Sequence, residues 1–189
     1  AWYDPSNRAT LFQDAAGTIP VTADGQPVVR MRYRARNGIH LLQPTAAARP
    51  LYRTGGGLSW IEYDGVDDWL EGPVAETIAG TKLYACGGLS QVARIYSRHL
   101  SVFGPAADLN SPSSAIVLAV NNVGPGLTAF RDSSPRSVTT VPADNVTAVA
   151  ESVFDGATNE VAVNGSPGAV VASSGAFNSN TIALGFPLD

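Results

Sequence analysis

Three carboxylates in the segment "SWIEYDGVDDWLEG" have a spacing that could support glycoside hydrolysis. Glu62, Asp64 and Asp67 follow the pattern E-x-D-x-x-D. Hydrolysis with retention needs two carboxyl groups about 5–5.5 Å apart that face the sugar together. Alternating residues over 58–63 predict a strand, and Asp64-Gly65 after it is a strong turn signal. Because that turn would break the strand after Glu62, the sequence favours a protein that is not an enzyme.

The same segment offers hard oxygen ligands for a metal ion. Asp64, Asp67 and Asp68 lie within five residues of sequence, and Ca²⁺ binds six to eight such oxygens. Aspartates beside a tight turn also accept hydrogen bonds from backbone N–H groups. The sequence favours this role, with Asp64 and Asp67 capping the turns and Asp68 fixing a neighbouring loop. Calcium is the alternative, and no other cofactor is expected.

A second candidate site is the segment "VVRMRYRARNG", in which arginine recurs at every second position. On a strand, Arg30, Arg32, Arg34 and Arg36 would share one face, and we call them the arginine stripe. Guanidinium groups suit the carboxylates or phosphates of an acidic capsule, a lipopolysaccharide or a partner subunit. The alternatives are the chain's own acidic residues, a solvated face, or an edge strand protected from aggregation by charge.

Aromatic side chains could serve as platforms for sugar rings. Trp69 follows the acidic turn and is the candidate for this role. Trp60 shares its strand with apolar neighbours, so we expect it in the core, the usual place for a tryptophan in a sandwich. Trp2 and Tyr3 near the start of the chain stay open in this respect.

Composition and turn spacing predict one all-β domain over residues 1–189. The chain is 44% hydrophobic and 15% charged, and it contains 19 Gly and 13 Pro between short runs rich in Val, Ile, Thr and aromatics. Such spacing is typical of an antiparallel β-sandwich or barrel. No apolar run reaches the roughly 18 residues of a membrane span. The formal charge of −4 argues against nucleic acid as a partner, and Cys86 alone excludes a disulfide within the chain.

Two long motifs resemble laminin-G-like, concanavalin A-like jelly-roll domains. "WIEYDGVDDWLEG" resembles the signature that opens many of these domains, and "VTAVAESVFDGATNEVAVNGSPGAVVASSG" with "NTIALG" is similar to their later strands. The N-terminal part is similar to the lead-in of such domains in phage and prophage tail, spike or receptor-binding proteins and in gene transfer agents. The resemblance implies an antiparallel jelly-roll β-sandwich.

The resemblance also implies a function and a location. It predicts a non-catalytic domain on the surface of a phage-like particle that binds host cell-surface polysaccharide. A structural domain that assembles with other virion subunits is the alternative, and a glycoside hydrolase is less favoured. Relatives often bind calcium through Asp pairs from separate loops. They also continue one strand beyond "IALG", so we expect an exposed sheet edge near the C-terminus that pairs with other chains or with copies of this one.

Overall fold

A computed structural model describes residues 2–34, 40–80, 83–89, 97–103, 116–120, 127–131, 137–139, 146–155, 157–172 and 177–185. Helical structure in these ranges consists of two short 3-10 turns, Arg8–Thr10 and Ala46–Ala48. None of the helical residues described forms a helix long and apolar enough to cross a membrane.

Strands make up most of the described secondary structure. Their bounds are β1 (Leu11–Phe12), β2 (Arg30–Met31), β3 (Leu41–Leu42), β4 (Leu51–Gly55), β5 (Leu58–Glu62), β6 (Leu70–Gly80), β7 (Leu83–Leu89), β8 (Ser97–Phe103), β9 (Ile116–Val120), β10 (Leu127–Arg131), β11 (Ser137–Thr139), β12 (Ala148–Phe154), β13 (Thr158–Val163), β14 (Ser166–Pro167), β15 (Val171–Ala172) and β16 (Phe177–Leu184). The strand pairs with a described register are antiparallel. These elements confirm the prediction of an all-β fold of antiparallel sheets.

The chain divides into two compact units. Unit 1 comprises Ala1–Glu76 and Thr181–Pro187, and unit 2 comprises Thr77–Asn180. The prediction of a single domain over residues 1–189 is not tested by this division and stays a prediction.

Unit 1 contains two groups of paired strands. One has the order β1-β2-β3-β6, and the other is the β4–β5 hairpin. Leu11, Val28, Met31, Leu41 and Leu70 are almost completely buried and form much of its core. The segment before β2 runs along the open edge of β4, where the Tyr52 amide donates to the Gln26 carbonyl at 2.9 Å. This pairing places residues 22–27 beside the hairpin.

Unit 2 contains a sheet in which β12 lies between β7 and β13, and a run of strands in the order β8-β9-β10-β11. β13 also contacts β10 and β11, which gives this unit two sheets in contact, as a sandwich requires. Side chains of β12 alternate as the sequence predicts: Ala150 and Phe154 are buried, whereas Val149 and Val153 are exposed. β16, which contains residues 182–184 of the C-terminal motif, lies between β6 and β8 in the strand order. The expectation of an exposed sheet edge at this strand is therefore wrong, because β16 has a neighbouring strand on each side.

Candidate functional site

The β4–β5 hairpin is built on a run of three glycines. Gly56 and Gly57 form its tip with φ of 59° and 81°, a left-handed conformation that glycine adopts without a Cβ clash. The strands pair with Arg53 opposite Trp60 and Gly55 opposite Leu58. Because side chains alternate along each strand, these four residues share one face with Glu62. We call Arg53, Gly55, Leu58, Trp60 and Glu62 the hairpin face.

Trp60 lies exposed on the hairpin face. Its residue is 42% exposed and Leu58 is 58% exposed. A Cβ built on Gly55 would lie 3.6 Å from Cη2 of the indole, so the strand opposite presents bare backbone beside the ring. Within the described part of the chain no guanidinium or second aromatic ring is recorded against this indole. One large ring is therefore open to solvent.

The prediction that Trp60 belongs to the core is wrong. The alternation over β5 correctly predicts a strand, but alternation does not reveal which of the two faces of a strand is buried. In the structure the opposite face turns inward: Tyr52 is 2% exposed, and its hydroxyl lies 3.1 Å from Oγ of Ser59. On the other face of the hairpin, Leu58 and Trp60 stay exposed to solvent.

Polar groups beside Trp60 are held in a charged network. Nε of Arg53 donates to Oε2 of Glu62 at 2.5 Å, and its Nη1 lies 3.4 Å from Oδ2 of Asp24. The other Asp24 oxygen accepts from the Thr54 amide at 2.8 Å. The hydrogen bond with Glu62 is the main reason why the pKa of Arg53 is raised. This network fixes the guanidinium and the Glu62 carboxylate next to the exposed indole.

Two atoms of this network keep hydrogen-bonding capacity. Oε1 of Glu62 accepts no hydrogen bond, and Nη2 of Arg53 donates none, within the ranges that the structure describes. An acceptor and a donor thus stand on the same face as the Trp60 ring. Sequence reasoning missed Arg53 and Asp24, because their pairing joins positions 29 residues apart. The glycine run opposite an alternating "LSW" was the signal that could have indicated an open face.

The acidic turn forms as predicted, and its carboxylates do not make a catalytic set. β5 ends at Glu62, and Gly65 has φ of 77°. The next strand begins at Leu70. However, β5 pairs with β4 and β6 pairs with β3, so the turn connects two different groups of strands and is not a hairpin. Glu62 is bound to Arg53 and does not join the aspartates.

Asp64 and Asp68 act as turn caps. Oδ1 of Asp64 accepts from the amides of Val66, Asp67 and Asp68 at 2.8, 3.2 and 3.3 Å. Oδ2 of Asp68 accepts from the Asp64 amide at 3.0 Å. These bonds confirm the capping role of Asp64. The structure differs for the other two aspartates: Asp68 caps this same turn instead of fixing a neighbouring loop, and the Asp67 carboxylate accepts no hydrogen bond within the residues that the structure describes. A carboxylate oxygen from each of Asp64, Asp67 and Asp68 lies within 4.8 Å of the others, and calcium binding there stays a prediction.

The pKa values of the two capping aspartates move in opposite directions. Burial acts to raise the pKa of Asp64, but the backbone hydrogen bonds outweigh it and the pKa is lowered. The pKa of Asp68 is raised, mainly by burial and then by the charges of Asp64, Asp67 and Glu62. The turn therefore contains one carboxylate whose charged form is stabilised, that of Asp64, and one that ionises less easily, that of Asp68.

The arginine stripe lies against the chain itself. Within the described residues 28–34 of the segment, strand structure covers Arg30 and Met31. Nη1 of Arg30 donates to the carbonyls of Ala15 and Ala16 at 2.9 and 3.0 Å. Nη2 of Arg32 donates to the Gly17 carbonyl at 3.3 Å. Arg36 lies outside the described residues. Backbone carbonyls of the preceding loop are thus the main partners of the first two arginines.

Aromatic rings and one carboxylate complete the contacts of the stripe. The Arg32 guanidinium lies 4.2 Å from the centre of the Phe12 ring, and that of Arg34 lies 4.6 Å from the centre of the Trp2 ring. Nη1 of Arg34 also pairs with Oδ2 of Asp4 at 2.6 Å. The pKa of Asp4 is lowered, first by the Ser6 hydroxyl and further by Arg34. This agrees with the alternative in which the chain supplies the anion.

Trp69 has a different setting from Trp60. It is half-buried, its amide donates to the Ala48 carbonyl at 3.4 Å, and its own carbonyl accepts from Nε2 of the buried Gln43 at 3.2 Å. The structure does not bring Trp69 together with the arginine stripe through any contact described. Its role as a sugar platform stays a prediction.

Comparisons with known proteins give no family. No family model and no curated protein matches the sequence. Among solved structures, a sialidase from Trypanosoma rangeli in complex with 2,3-difluoro-KDN is similar over 100% of this chain and 31% of its own, with 15% identity and a TM-score of 0.47. An alginate lyase, AlgAT5 of polysaccharide lyase family 7, is similar over 100% of this chain and 88% of its own, with 11% identity and a TM-score of 0.41.

The share of each chain that is matched and the TM-scores limit the conclusions that these two structures allow. This chain spans about a third of the length of the sialidase chain. Both names belong to carbohydrate-active proteins. With TM-scores below 0.5, neither likeness assigns an activity to this chain.

Proposed function

We propose that this chain is a non-catalytic carbohydrate-binding protein whose site is the hairpin face. The observation that carries the proposal is the exposed Trp60 ring beside Arg53 and Glu62. One face of a pyranose ring presents C–H groups, which pack on the electron-rich face of an indole. Its hydroxyls need fixed donors and acceptors nearby, and Nη2 of Arg53 and Oε1 of Glu62 are placed to supply them.

The arrangement of carboxylates supports binding without hydrolysis. Glycoside hydrolysis needs one carboxyl group that gives a proton and a second that attacks or activates water. Glu62 is held in an ion pair with Arg53, and Asp64 is engaged by three backbone amides. Neither is positioned as a partner for the other. A binding protein is the simplest use of this face.

The finer proposal is that the bound carbohydrate is a host cell-surface polysaccharide and that the chain belongs to a phage-like particle. The motifs that resemble tail and spike domains support this setting. A single exposed tryptophan provides a weak site, and many copies on one particle would raise the overall strength of attachment by avidity.

The test is a glycan array probed with the protein displayed in many copies. We expect binding that Trp60→Ala removes and Trp2→Ala retains, because one face of the Trp2 ring is already occupied by the Arg34 guanidinium. Absence of binding to any glycan on the array would contradict the proposal. Incubation with polysaccharides, with release of reducing ends and of unsaturated products measured, should show no turnover. Turnover lost in Glu62→Gln would show an enzyme.

A structural role in assembly is the second candidate, and one observation favours it. Leu58 and Trp60 form an exposed apolar pair, which another subunit could cover. In that case Leu58→Ala should shift the protein from an oligomer to a monomer in light-scattering measurements, with no glycan bound by either form. A monomeric wild-type protein would exclude this use of the face.

A further inference from the structure

We infer that the glycan bound at the hairpin face is an uncharged pyranose polysaccharide and not an acidic one; this inference rests on the proposed function. The sequence alone points the other way, because the arginine stripe suggests a polyanion. The contacts of the hairpin face and of the arginine stripe instead favour a neutral ligand.

The charge of the hairpin face is negative. Arg53 lies between two carboxylates, Glu62 and Asp24, so these three side chains carry a net charge of −1. Their side chains are 32%, 41% and 50% exposed, which leaves their charges accessible to a ligand. The carboxylate of an acidic sugar would approach two like charges, and the guanidinium beside them already pairs with both carboxylates. The repulsion opposes binding.

The atoms that remain available suit hydroxyl groups. Oε1 of Glu62 can only accept a hydrogen bond, and a sugar hydroxyl can donate one. Nη2 of Arg53 donates, and a neighbouring hydroxyl can accept. A pair of adjacent hydroxyls satisfies both atoms together, whereas a carboxylate ligand has no proton to give Glu62. The Trp60 ring adds contact with the C–H face without any charge requirement.

The arginine stripe does not supply the missing positive charge. Arg30 and Arg32 donate to carbonyls of residues 15–17, and Arg34 is paired with Asp4 and lies over Trp2. The described members of the stripe therefore already have partners within the chain, and an acidic glycan would have to compete with them.

The test compares two probes of similar length, a neutral glucan or galactan and alginate, at 20 and 300 mM salt. We expect binding to the neutral glycan, with a dissociation constant that changes less than about twofold between the two salt concentrations, because no ion pair is formed. Tighter binding of alginate that weakens steeply with salt would overturn the inference and leave carbohydrate binding intact. Failure of both probes and of a wider array would instead contradict the proposed function.

A variant pair tests the cause directly. Asp24→Asn with Glu62→Gln keeps the size of both side chains and one carbonyl oxygen in each, and it changes the charge of the three side chains from −1 to +1. Removing two negative charges that each lie about 6 Å from the ligand carboxylate should raise its affinity in water by about tenfold. The ratio of the affinity for alginate to the affinity for the neutral glycan at 20 mM salt should therefore rise by that factor. Glu151→Gln, on the outer face of β12, is the matched control and should leave the ratio unchanged. An unchanged ratio in the double variant, with neutral binding still measurable, would overturn the inference.

Discussion

Two regions of unit 1 place arginine near aromatic rings, and they do so in opposite ways. In the arginine stripe, guanidinium groups lie over one face of the Phe12 ring and one face of the Trp2 ring, although Trp2 as a residue is 61% exposed. On the hairpin face, Arg53 is drawn sideways into ion pairs with Glu62 and Asp24, and the Trp60 ring stays open. A binding surface is therefore recognised by the groups that the fold leaves without partners, and not by the number of charges in the sequence.

The physical reason lies in what surrounds each arginine. The loop of residues 14–19 presents backbone carbonyls to Arg30 and Arg32. That loop is itself held by Asp14, whose Oδ1 accepts from the amides of Thr18 and Ile19. Carbonyls and ring faces can satisfy guanidinium groups without any external anion. Arg53 has carboxylate partners instead, and these leave a charged and hydrogen-bonding rim beside an exposed ring.

The largest effect is expected from the two exposed tryptophans. Trp60→Ala should weaken glycan binding by about 30-fold or more, because a central aromatic contact typically contributes about 2 kcal/mol or more. The midpoint of urea unfolding should change little, since the ring is outside the core. Isothermal titration calorimetry measures the binding. Trp2→Ala is the control. If it weakens binding as much as Trp60→Ala does, the assignment of the binding site to the hairpin face is contradicted.

Arginine substitutions should separate stability from binding. Arg32→Ala removes the contact with Phe12 and the hydrogen bond to Gly17, and it should lower the free energy of unfolding by about 1–2 kcal/mol while glycan binding is retained. Arg53→Ala should change stability little, because the ion pairs are exposed, and it should weaken binding. Urea unfolding gives the free energy of unfolding of each variant, and calorimetry gives its dissociation constant for the glycan. The reverse pattern would mean that the stripe is the binding surface.

The smallest effect concerns the carboxylate that pairs with the stripe. Because the pKa of Asp4 is lowered in the folded protein, its contribution to stability is present above its unfolded pKa of about 3.9. That contribution is lost as the pH falls through the lower folded pKa. At pH 7, Asp4→Asn should therefore be less stable than wild type by under about 1 kcal/mol.

The stability difference between wild type and Asp4→Asn should shrink steadily as the pH falls below the unfolded pKa of about 3.9. Urea unfolding of both proteins between pH 2 and pH 7 measures the difference. A constant difference at every pH would mean that the charge of Asp4 plays no part.

Local signals in the sequence predicted the backbone better than the site. Alternation and Asp64-Gly65 indicated the strand and the turn, because both depend on residues close in sequence. Which face of "LSWIE" is buried depends on what packs against the hairpin, and alternation contains no information about that. The partners of Arg30 and Arg34 lie 15 and 30 residues away, so spacing alone could not reveal that the stripe is internally satisfied.

The segment of the arginine stripe also shows why strand length is harder to predict. Its alternation suggested a strand through Arg36, whereas regular pairing is described only at Arg30 and Met31. Beyond them the chain keeps single contacts with the N-terminal segment, such as the Arg32 amide to the Thr10 carbonyl at 2.7 Å. The pairing partner is too short to sustain a ladder, and a partner's length is not visible in the strand's own residues.

The indole N–H signals of the three tryptophans report directly on whether the hairpin face binds carbohydrate. Each gives one resonance in a proton–nitrogen correlation spectrum, and single Trp→Phe variants assign them. On titration with a neutral glycan that binds, the Trp60 signal should shift with saturation, while those of Trp2 and Trp69 should stay in place. A shift of the Trp2 or Trp69 signal with Trp60 unmoved would contradict the assignment of the hairpin face as the carbohydrate-binding surface.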